Sequence, residues 1–415
     1  MRYFFLLLFF SAFNLAAQVN QGLITYLSFD KPGCNIGDEA GDPAIQTFVN
    51  GDLICDCGVQ DKALRFDGDD DWFFLFGEKV EGTLTTIDFS LSFYFQSTSS
   101  ANESQAIFTK RLDCSTDRAF SIRFNPFTKI LNVELTESPT FSGSLSKTLP
   151  SGSCWYHVVV VRKGATTLLY VNGQEFGKVN APVSQRVNIS NSEPLTVGRS
   201  NCNLDQDFKG FLDEIRLYNR ALSREDVEDL FFRPDEIANG KKSSGTKDTT
   251  IFLGNAVQID LTTTCATNFS WTPTTGVSDP ANPNPVITPS ATTTYALKFS
   301  SAAFPCIKTD SIRITVVDPS TLDCKDILLP TAFTPNGDGL NDTYGISNPF
   351  VAGEILSFQI FDRWGNIIFE TVNPLEKWDG SYRGQPVNSG VFLYRIKFRC
   401  QGEEDLLSGS VTVIR

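Results

Sequence analysis

Chemistry needs a nucleophile, a general base or a set of metal ligands, and this sequence offers few of each. The chain of 415 residues holds one histidine, His157. The usual proton shuttle is therefore scarce, and metal sites built from several imidazoles are excluded. His157 stands between Tyr156 and Val158 in an apolar run, and no G-x-S-x-G nucleophile elbow accompanies it, so packing is expected there rather than a catalytic triad. Paired carboxylates that could cleave a glycosidic bond would come from Glu134, Glu137, Asp213 and Glu214. Glu134 and Glu137 differ in parity along one strand, and adjacent Asp213 and Glu214 also diverge, so neither pair faces one substrate. Asn336-Gly337-Asp338-Gly339 has the look of a calcium loop. Leu340 stands where a further oxygen ligand belongs, no distal Glu follows, and the EF-hand reading fails. Glycines at a positive-φ turn explain the segment instead. The cluster from Asp67 to Asp71 reads as a solvated hairpin end, with Asp71 the member able to donate a ligand. Trp364 and Trp378 read as core residues, and no exposed aromatic stripe is apparent.

These residues must be positioned by strands. The chain carries 35 Phe against 1 Met, and Phe, Val, Ile and Thr favour pleated, half-buried surfaces. Strand-like runs recur, among them Leu23 to Phe29, Ala63 to Phe66, Trp72 to Phe76, Phe89 to Phe95, Trp155 to Val161 and Thr167 to Val171. Turn residues separate them at spacings that suit sandwiches or barrels rather than βαβ units. Asn172-Gly173 predicts a tight hairpin. One helix is expected, capped by Ser223 with Asp226 three residues on and an apolar stripe at Val227, Leu230 and Phe231. The fold class is all-β.

Length and charge bound the rest. A chain of this size needs two to four cores. The net charge of -13 repels phosphate backbones, which argues against nucleic acid as a partner and is compatible with divalent cations. Arg2, the apolar run from Tyr3 to Leu15, and Ala16-Ala17 before Gln18 have the order of a secretory signal peptide, with cleavage expected near Ala17. The run is shorter than a membrane span, and no later segment is long and apolar enough to be one. The 10 Cys then meet an oxidising compartment, where disulfides are expected. Expected boundaries are 1–17 for the signal peptide, 18–233 for the first domain, 234–248 for a Gly/Lys/Ser/Thr-rich flexible linker, 249–319 for a second domain and 325–415 for the last.

The last domain resembles a known family. Leu329-Pro330-Thr331-Ala332-Phe333-Thr334-Pro335-Asn336-Gly337-Asp338-Gly339-Leu340-Asn341-Asp342 is similar to the opening of the gliding-motility-associated C-terminal domain. Phe361-Asp362-Arg363-Trp364-Gly365-Asn366, Trp378-Asp379-Gly380, Gly390-Val391-Phe392-Leu393-Tyr394 and Gly409-Ser410-Val411 match its later blocks in order. The resemblance implies a β-sandwich that acts as a type B sorting signal of the type IX secretion system of the Bacteroidota, with Pro335, Asn336, Gly337, Asp338, Gly339, Asn341 and Asp342 as its sorting motif.

The first domain resembles the laminin-G-like, concanavalin A-like jelly-roll family. Leu27-Ser28-Phe29-Asp30, Ala63-Leu64-Arg65-Phe66-Asp67-Gly68, Trp155-Tyr156-His157-Val158-Val159-Val160-Val161, Leu169-Tyr170-Val171-Asn172-Gly173 and the run Gly210 to Ser223 carry the likeness. That resemblance makes the first and last strands neighbours, so Asp30 and Asp213 could share a calcium ion with backbone carbonyls; the alternative is one solvated and one hydrogen-bonded carboxylate. It also places the loops around Cys114 and Cys202 beside the ligand edge, bridged by a Cys114–Cys202 disulfide. The middle domain resembles Ig-like modules through Phe269-Ser270-Trp271-Thr272-Pro273, Thr292 to Tyr295 and Ile312 to Val317, and this likeness implies a Cys265–Cys306 bond across a small sandwich.

The reading that results is a secreted or cell-surface binding or adhesion protein. Its first domain meets an extracellular glycan or protein, and its last meets the type IX outer-membrane machinery. Alternatives are a non-catalytic glycan-binding subunit of a polysaccharide-degrading system and, less favoured, a glycoside hydrolase. No cofactor besides calcium is implied, and the ligand-binding residues are not fixed by the sequence.

Overall fold

Alternation along the strands sets the first domain. In Trp72–Phe76 the rings of Phe73 and the side chain of Leu75 are buried, while Trp72, Phe74 and Phe76 point the other way. That is the period of a sheet with one face on a core. The computed structural model describes residues 20–41, 45–182, 185–239, 241–243, 246–301, 307–318, 321, 326–336, 341–349, 351–400 and 402–414. The expected signal peptide at 1–17 lies outside them. No described helix is long and apolar enough to cross a membrane.

The first domain's strands in chain order are β1 (Leu23–Leu27), β2 (Gln46–Asn50), β3 (Ile54–Cys57), β4 (Lys62–Asp67), β5 (Trp72–Phe76), β6 (Phe89–Ser97), β7 (Gln105–Lys110), β8 (Ala119–Asn125) and β9 (Ile130–Ser138). They continue with β10 (Phe141–Ser142), β11 (Leu145–Thr148), β12 (Tyr156–Lys163), β13 (Thr166–Val171), β14 (Gln174–Asn180), β15 (Leu195–Val197), β16 (Gln206–Asp207) and β17 (Lys209–Tyr218). An eight-stranded sheet runs β14-β13-β12-β6-β17-β4-β3 with β1 on β17, and a nine-stranded sheet runs β10-β9-β8-β7-β15-β5-β2 with β11 on β9 and β16 on β7. The closing strand β17 sits centrally, between β6 and β4. Phe66, Phe73, Phe93, Phe95, Phe108 and Phe124 fill the space between the sheets, as in a jelly-roll sandwich. Removing one such ring costs about 3–5 kcal/mol.

Local signals are honoured. Asn172 and Gly173 take φ of 50° and 75° between β13 and β14, the twist a two-residue hairpin requires. The helix Arg224–Asp229 has its full capping box, with Ser223 Oγ accepting from Asp226 N–H and Asp226 accepting from Ser223 N–H.

The segment expected as a flexible linker, 234–248, is paired instead. Asp235 N–H donates to the Thr263 carbonyl at 2.9 Å and Ala238 N–H to that of Asp260 at 2.7 Å. Ile237 is buried in the second domain's core with Trp271, Tyr295, Leu297 and Ile314. The strand Thr246–Phe252 lies parallel to Ile307–Val317 within a five-stranded sheet. Its polar composition concealed this, because main-chain pairing needs no apolar side chain. A two-stranded ribbon, Val257–Gln258 with Val286–Ile287, completes the second domain's pairing.

Cysteine pairing also departs from expectation. Cys265 bonds to Cys57 of β3, across 208 residues, not to Cys306, which lies outside the described residues. Cys57 is thus an inter-domain ligature. Cys34–Cys55 and Cys114–Cys202 are bonded as well, and Cys154 and Cys400 are disulfide-bonded.

The last domain is a five-stranded sheet, Ala332–Phe333, Glu403–Val413, Gly390–Cys400, Glu354–Phe361 and Ile367–Thr371 in spatial order. Trp378 is in its core with Phe333 and Tyr344. Trp364, expected in the core, is 78% exposed. It rides a turn in which Asp362 Oδ1 accepts from the N–H groups of Trp364 and Asn366, so turn geometry, not packing, accounts for the Asp-Arg-Trp-Gly-Asn spacing.

Candidate ligand-binding face

One outer face of the first domain is covered by the helix and the second domain; the other is covered in its middle, where Thr109 Oγ1 donates to the Arg199 carbonyl, Arg111 bonds Asp205, and Thr109, Arg111 and Ser121 are buried. On the eight-stranded sheet, Val159, Val161, Tyr170 and Tyr218 pack under Val227 and Leu230 of the capped helix and its end. Tyr94, Trp155, Phe211 and Ala63 pack with Cys265 of the second domain, and Thr263 Oγ1 donates to the Val59 carbonyl at 2.7 Å. His157 belongs to this covered face. Its ring stacks on Tyr94 at 4.5 Å, and its Nε2 lies 3.0 Å from Ser92 Oγ. Burial pushes its pKa down to about 3, so the ring is neutral. No carboxylate holds Nδ1 among the described residues, and the arrangement is structural rather than catalytic.

The expected calcium pair also serves the backbone. Asp213 is fully buried; its Oδ2 accepts from Val59 N–H at 2.7 Å and its Oδ1 from Glu214 N–H at 2.8 Å. Asp30 Oδ1 accepts from Lys62 N–H at 2.9 Å. Together they fasten the turn between β3 and β4. Burial raises the pKa of Asp213 well above the carboxylate range, and neighbouring Glu214 adds to the rise. Glu214 instead reaches Tyr26, whose hydroxyl donates to it at 2.9 Å, and Arg216 at 2.5 Å. Three carboxylates converge elsewhere, with oxygens of Asp67, Asp70 and Asp71 all within 4.8 Å of one another. They line a cavity of 410 Å³ with Gly51, Asp52, Ile54 and Arg65.

The outer face of the nine-stranded sheet carries what the sequence reading missed. Phe48 of β2 is 50% exposed. It stacks on Phe74 at 5.1 Å and approaches Trp72 at 5.8 Å, while Trp72 stacks on Phe74 at 5.2 Å and Phe76 follows at 6.1 Å from Phe74. Arg199 sits over the Trp72 ring at 5.8 Å. The signal was the unbroken apolar run Trp72-Phe73-Phe74-Leu75-Phe76, which leaves a second face of rings once the first is buried. It reads as a core strand until its second face is assigned, and only strand order brings Phe48 beside it.

Further across the same face lies a charge network. Arg123 bonds Glu134 at 3.1 Å and Asp205 at 3.3 Å, while Arg111 bonds Asp205 and lies 3.6 Å from Glu134. Ser121 Oγ donates to Glu134 at 2.8 Å. Glu134, weighed as half of a catalytic pair, is therefore held by two guanidiniums, and Glu137 turns to the Asn188 N–H. Asp205 comes from the loop that the Cys114–Cys202 bond ties down. Register joins the two halves: Phe48, Phe74, Thr196, Thr109, Ser121 and Glu134 are successive cross-strand partners.

Residues 66–228 match the family described as the concanavalin A-like lectin/glucanases superfamily, and residues 327–413 match the CHU_C type IX secretion signal domain. The chain carries both domains. The secretion signal domain supports export and implies an encounter with the type IX machinery. Within it, Asn336 N–H donates to Asp342 Oδ1 at 3.0 Å and Thr334 N–H to the Asn341 carbonyl at 2.9 Å. Pro335 belongs to the same described turn, and Gly337, Asp338 and Gly339 lie outside the described residues. No curated protein matches the chain. Among solved structures, it is similar to the binding domain of Paraclostridial Mosquitocidal Protein 1, at 17% identity and a TM-score of 0.41, covering 52% of each chain. It spans about half the length of that relative. Domain 4 of AbnA, an extracellular arabinanase of Geobacillus stearothermophilus solved with arabinotriose, is 21% identical over 50% of this chain and 98% of its own, with a TM-score of 0.39. The Ruminococcus gnavus sialidase module bound to sialyllactose is 12% identical over 45% and 98%, with a TM-score of 0.34.

Proposed function

We propose that this is a secreted or cell-surface binding protein, carried out by its type IX signal domain, whose concanavalin A-like domain holds an extracellular glycan or protein on the outer face of the nine-stranded sheet. One observation carries the reading. The opposite face is covered by the chain's own helix and second domain, while this face carries a stacked set of rings in which Phe48 is half exposed. Aromatic platforms next to oriented hydrogen-bonding groups are how ligand sites combine affinity with orientation. Segment 1–17 supplies the first export step in this proposal, and no catalytic role is assigned.

The test has two arms. The purified mature chain is screened against immobilised glycans and extracellular proteins, with Trp72→Ala as the control that must lose signal. In cells, deletion of Ile327 to Arg415 is followed by fractionation and by protease access on whole cells. Retention of the truncated chain in the periplasm supports the proposal; normal surface or medium levels defeat the export half. Ligand capture indifferent to Trp72 defeats the binding half.

A further inference from the structure

We propose that the last domain is gripped during export at one end of its outer sheet face, where Trp364, Ile367, Phe361, Leu393 and Val391 form a single patch. The partner that fits is a protein of the export machinery with an apolar pocket rimmed by carboxylates. This rests on the export function proposed above and adds to it the surface and the chemistry of the encounter.

Register assembles the patch. Leu393 pairs with Phe361, and Phe361 with Ile367, so the three side chains share one face of the sheet. Val391 stands two residues before Leu393 and points the same way. Ile360, Ile396 and Phe398 point to the other side, into the core. Val391, Leu393 and Ile367 are all exposed. The turn between Phe361 and Ile367 carries Trp364. There Asp362 Oδ1 accepts from the N–H groups of Trp364 and Asn366, Oδ2 accepts from Asn366 Nδ2 at 2.8 Å, and Gly365 N–H donates to the Asp362 carbonyl at 3.0 Å. A turn bonded in this way holds the indole in water, outside the domain's own core. A contiguous apolar surface with a polar rim marks an interaction site.

Charge selects the partner. Arg363 lies over Trp364 at 5.2 Å and Arg395 over Phe361 at 5.3 Å. Arg395 bonds the neutral Gln359, and neither guanidinium has a carboxylate partner among the described residues. Further along the same face the cations are paired, Lys397 with Glu404 and Arg399 with Glu354 and Glu404. The apolar end is thus locally positive on a chain of net charge -13. Exposed Trp and Arg beside aliphatic side chains have the composition of interface hot spots, and carboxylates opposite them supply the complementary field. A second copy docked face to face would bring like guanidiniums together. An anionic bilayer would meet Glu370, Glu354 and Glu404 on the same face and would repel the chain as a whole.

The experiment is run in cells that export the full chain, with the surface fraction measured by protease access on whole cells. The variants are Trp364→Ala/Leu393→Ser, Arg363→Glu and, as control, Leu406→Ser, an exposed leucine opposite Lys397 and outside the patch. Thermal melts of the purified chains check the fold, and Arg363→Glu decides if the double variant does not fold. Expected is a surface fraction lowered about tenfold in both patch variants, with the chain held in the periplasm, and no change in Leu406→Ser. Trp364→Phe keeps a ring and should keep most of the export. Normal export of the patch variants, while deletion of Ile327 to Arg415 still strands the chain, overturns this surface and leaves the export function standing. Export of the deleted chain overturns both, and an equal loss in Leu406→Ser overturns the patch. Cosedimentation of the purified chain with vesicles of phosphatidylethanolamine and phosphatidylglycerol, lost in Trp364→Ala/Leu393→Ser, overturns the protein partner in favour of a membrane. Self-association lost in the same variant overturns it in favour of a second copy.

Discussion

Replacing both Cys57 and Cys265 with Ser should cost the first two domains a large part of their stability. The bond joins positions 208 residues apart. In the unfolded chain the Cys114–Cys202 bond already short-circuits 88 of those residues, so the loop that remains to be closed is on the order of 100 residues. The chain-entropy account then assigns the bond about 5 kcal/mol. At a denaturant slope of about 3 kcal/mol per M, the urea midpoint should fall by about 1.5 M. What stays behind is the packing of Trp155 and Phe211 near residue 265, the Thr263 to Val59 hydrogen bond, and the disulfide that Cys154 makes. The assay is urea unfolding of the double variant followed by fluorescence and circular dichroism, since a single variant would leave a reactive thiol. A transition at the wild-type midpoint would show that the bond contributes nothing.

Other substitutions give further checks. Arg111→Met strands Asp205 and Glu134 in a buried setting and should cost about 3–5 kcal/mol, most of it recovered in Arg111→Met/Asp205→Leu; thermal melts of the two variants decide. Gly173→Ala meets both a φ of 75° and Phe231 Cδ1 at 2.7 Å from the new Cβ, so a loss of about 1–3 kcal/mol is expected, and an unchanged melt would contradict the hairpin geometry. Burial lifts Asp207 to about 6, with Asp69, Asp67 and Asp70 adding to the rise against Arg199. The folded state therefore binds the extra proton, and stability from this group falls as pH climbs from about 4 to about 6. Asp207→Asn should flatten that slope in melts taken across pH 4–7, and a slope identical to wild type would refute it. Asp213→Ala should destabilise equally in calcium and in chelator, because Val59 and Glu214 N–H lose their acceptor; a loss seen only in calcium would support the expected calcium pair.

Much of this architecture was legible because it rests on period and turn chemistry. Trp72 to Phe76 and Phe89 to Phe95 alternate or run apolar, Asn172-Gly173 demands its hairpin, and Ser223 with Asp226 demands its helix start. What the residues could not tell was which strands become neighbours. Phe48 and Phe74 are far apart in the chain and adjacent only through sheet order. Their platform was therefore invisible, and Phe74 and Phe76 were read only as members of a strand-like run. Cysteine pairing failed for the same reason: Cys57 meets Cys265 only once the second domain is docked. The polar stretch before Thr246 was read by composition as a linker, yet its backbone carries the pairing. The charges of Asp30 and Asp213 suggested an ion, and the N–H groups that use them belong to a turn whose position the sequence did not reveal.

The tether between Cys57 and Cys265 has a consequence for presentation. It fixes the second domain against the covered side of the sandwich, and in a two-layer sandwich the open side must then face the other way. The aromatic surface is thus held outward on a short rigid bracket instead of swinging on a leash. A rigid mount keeps its surface from folding back onto its own support. An array of such molecules on a cell would display their surfaces in one direction, so a polymeric target could be gripped by several at once and held far longer than any single contact would hold it.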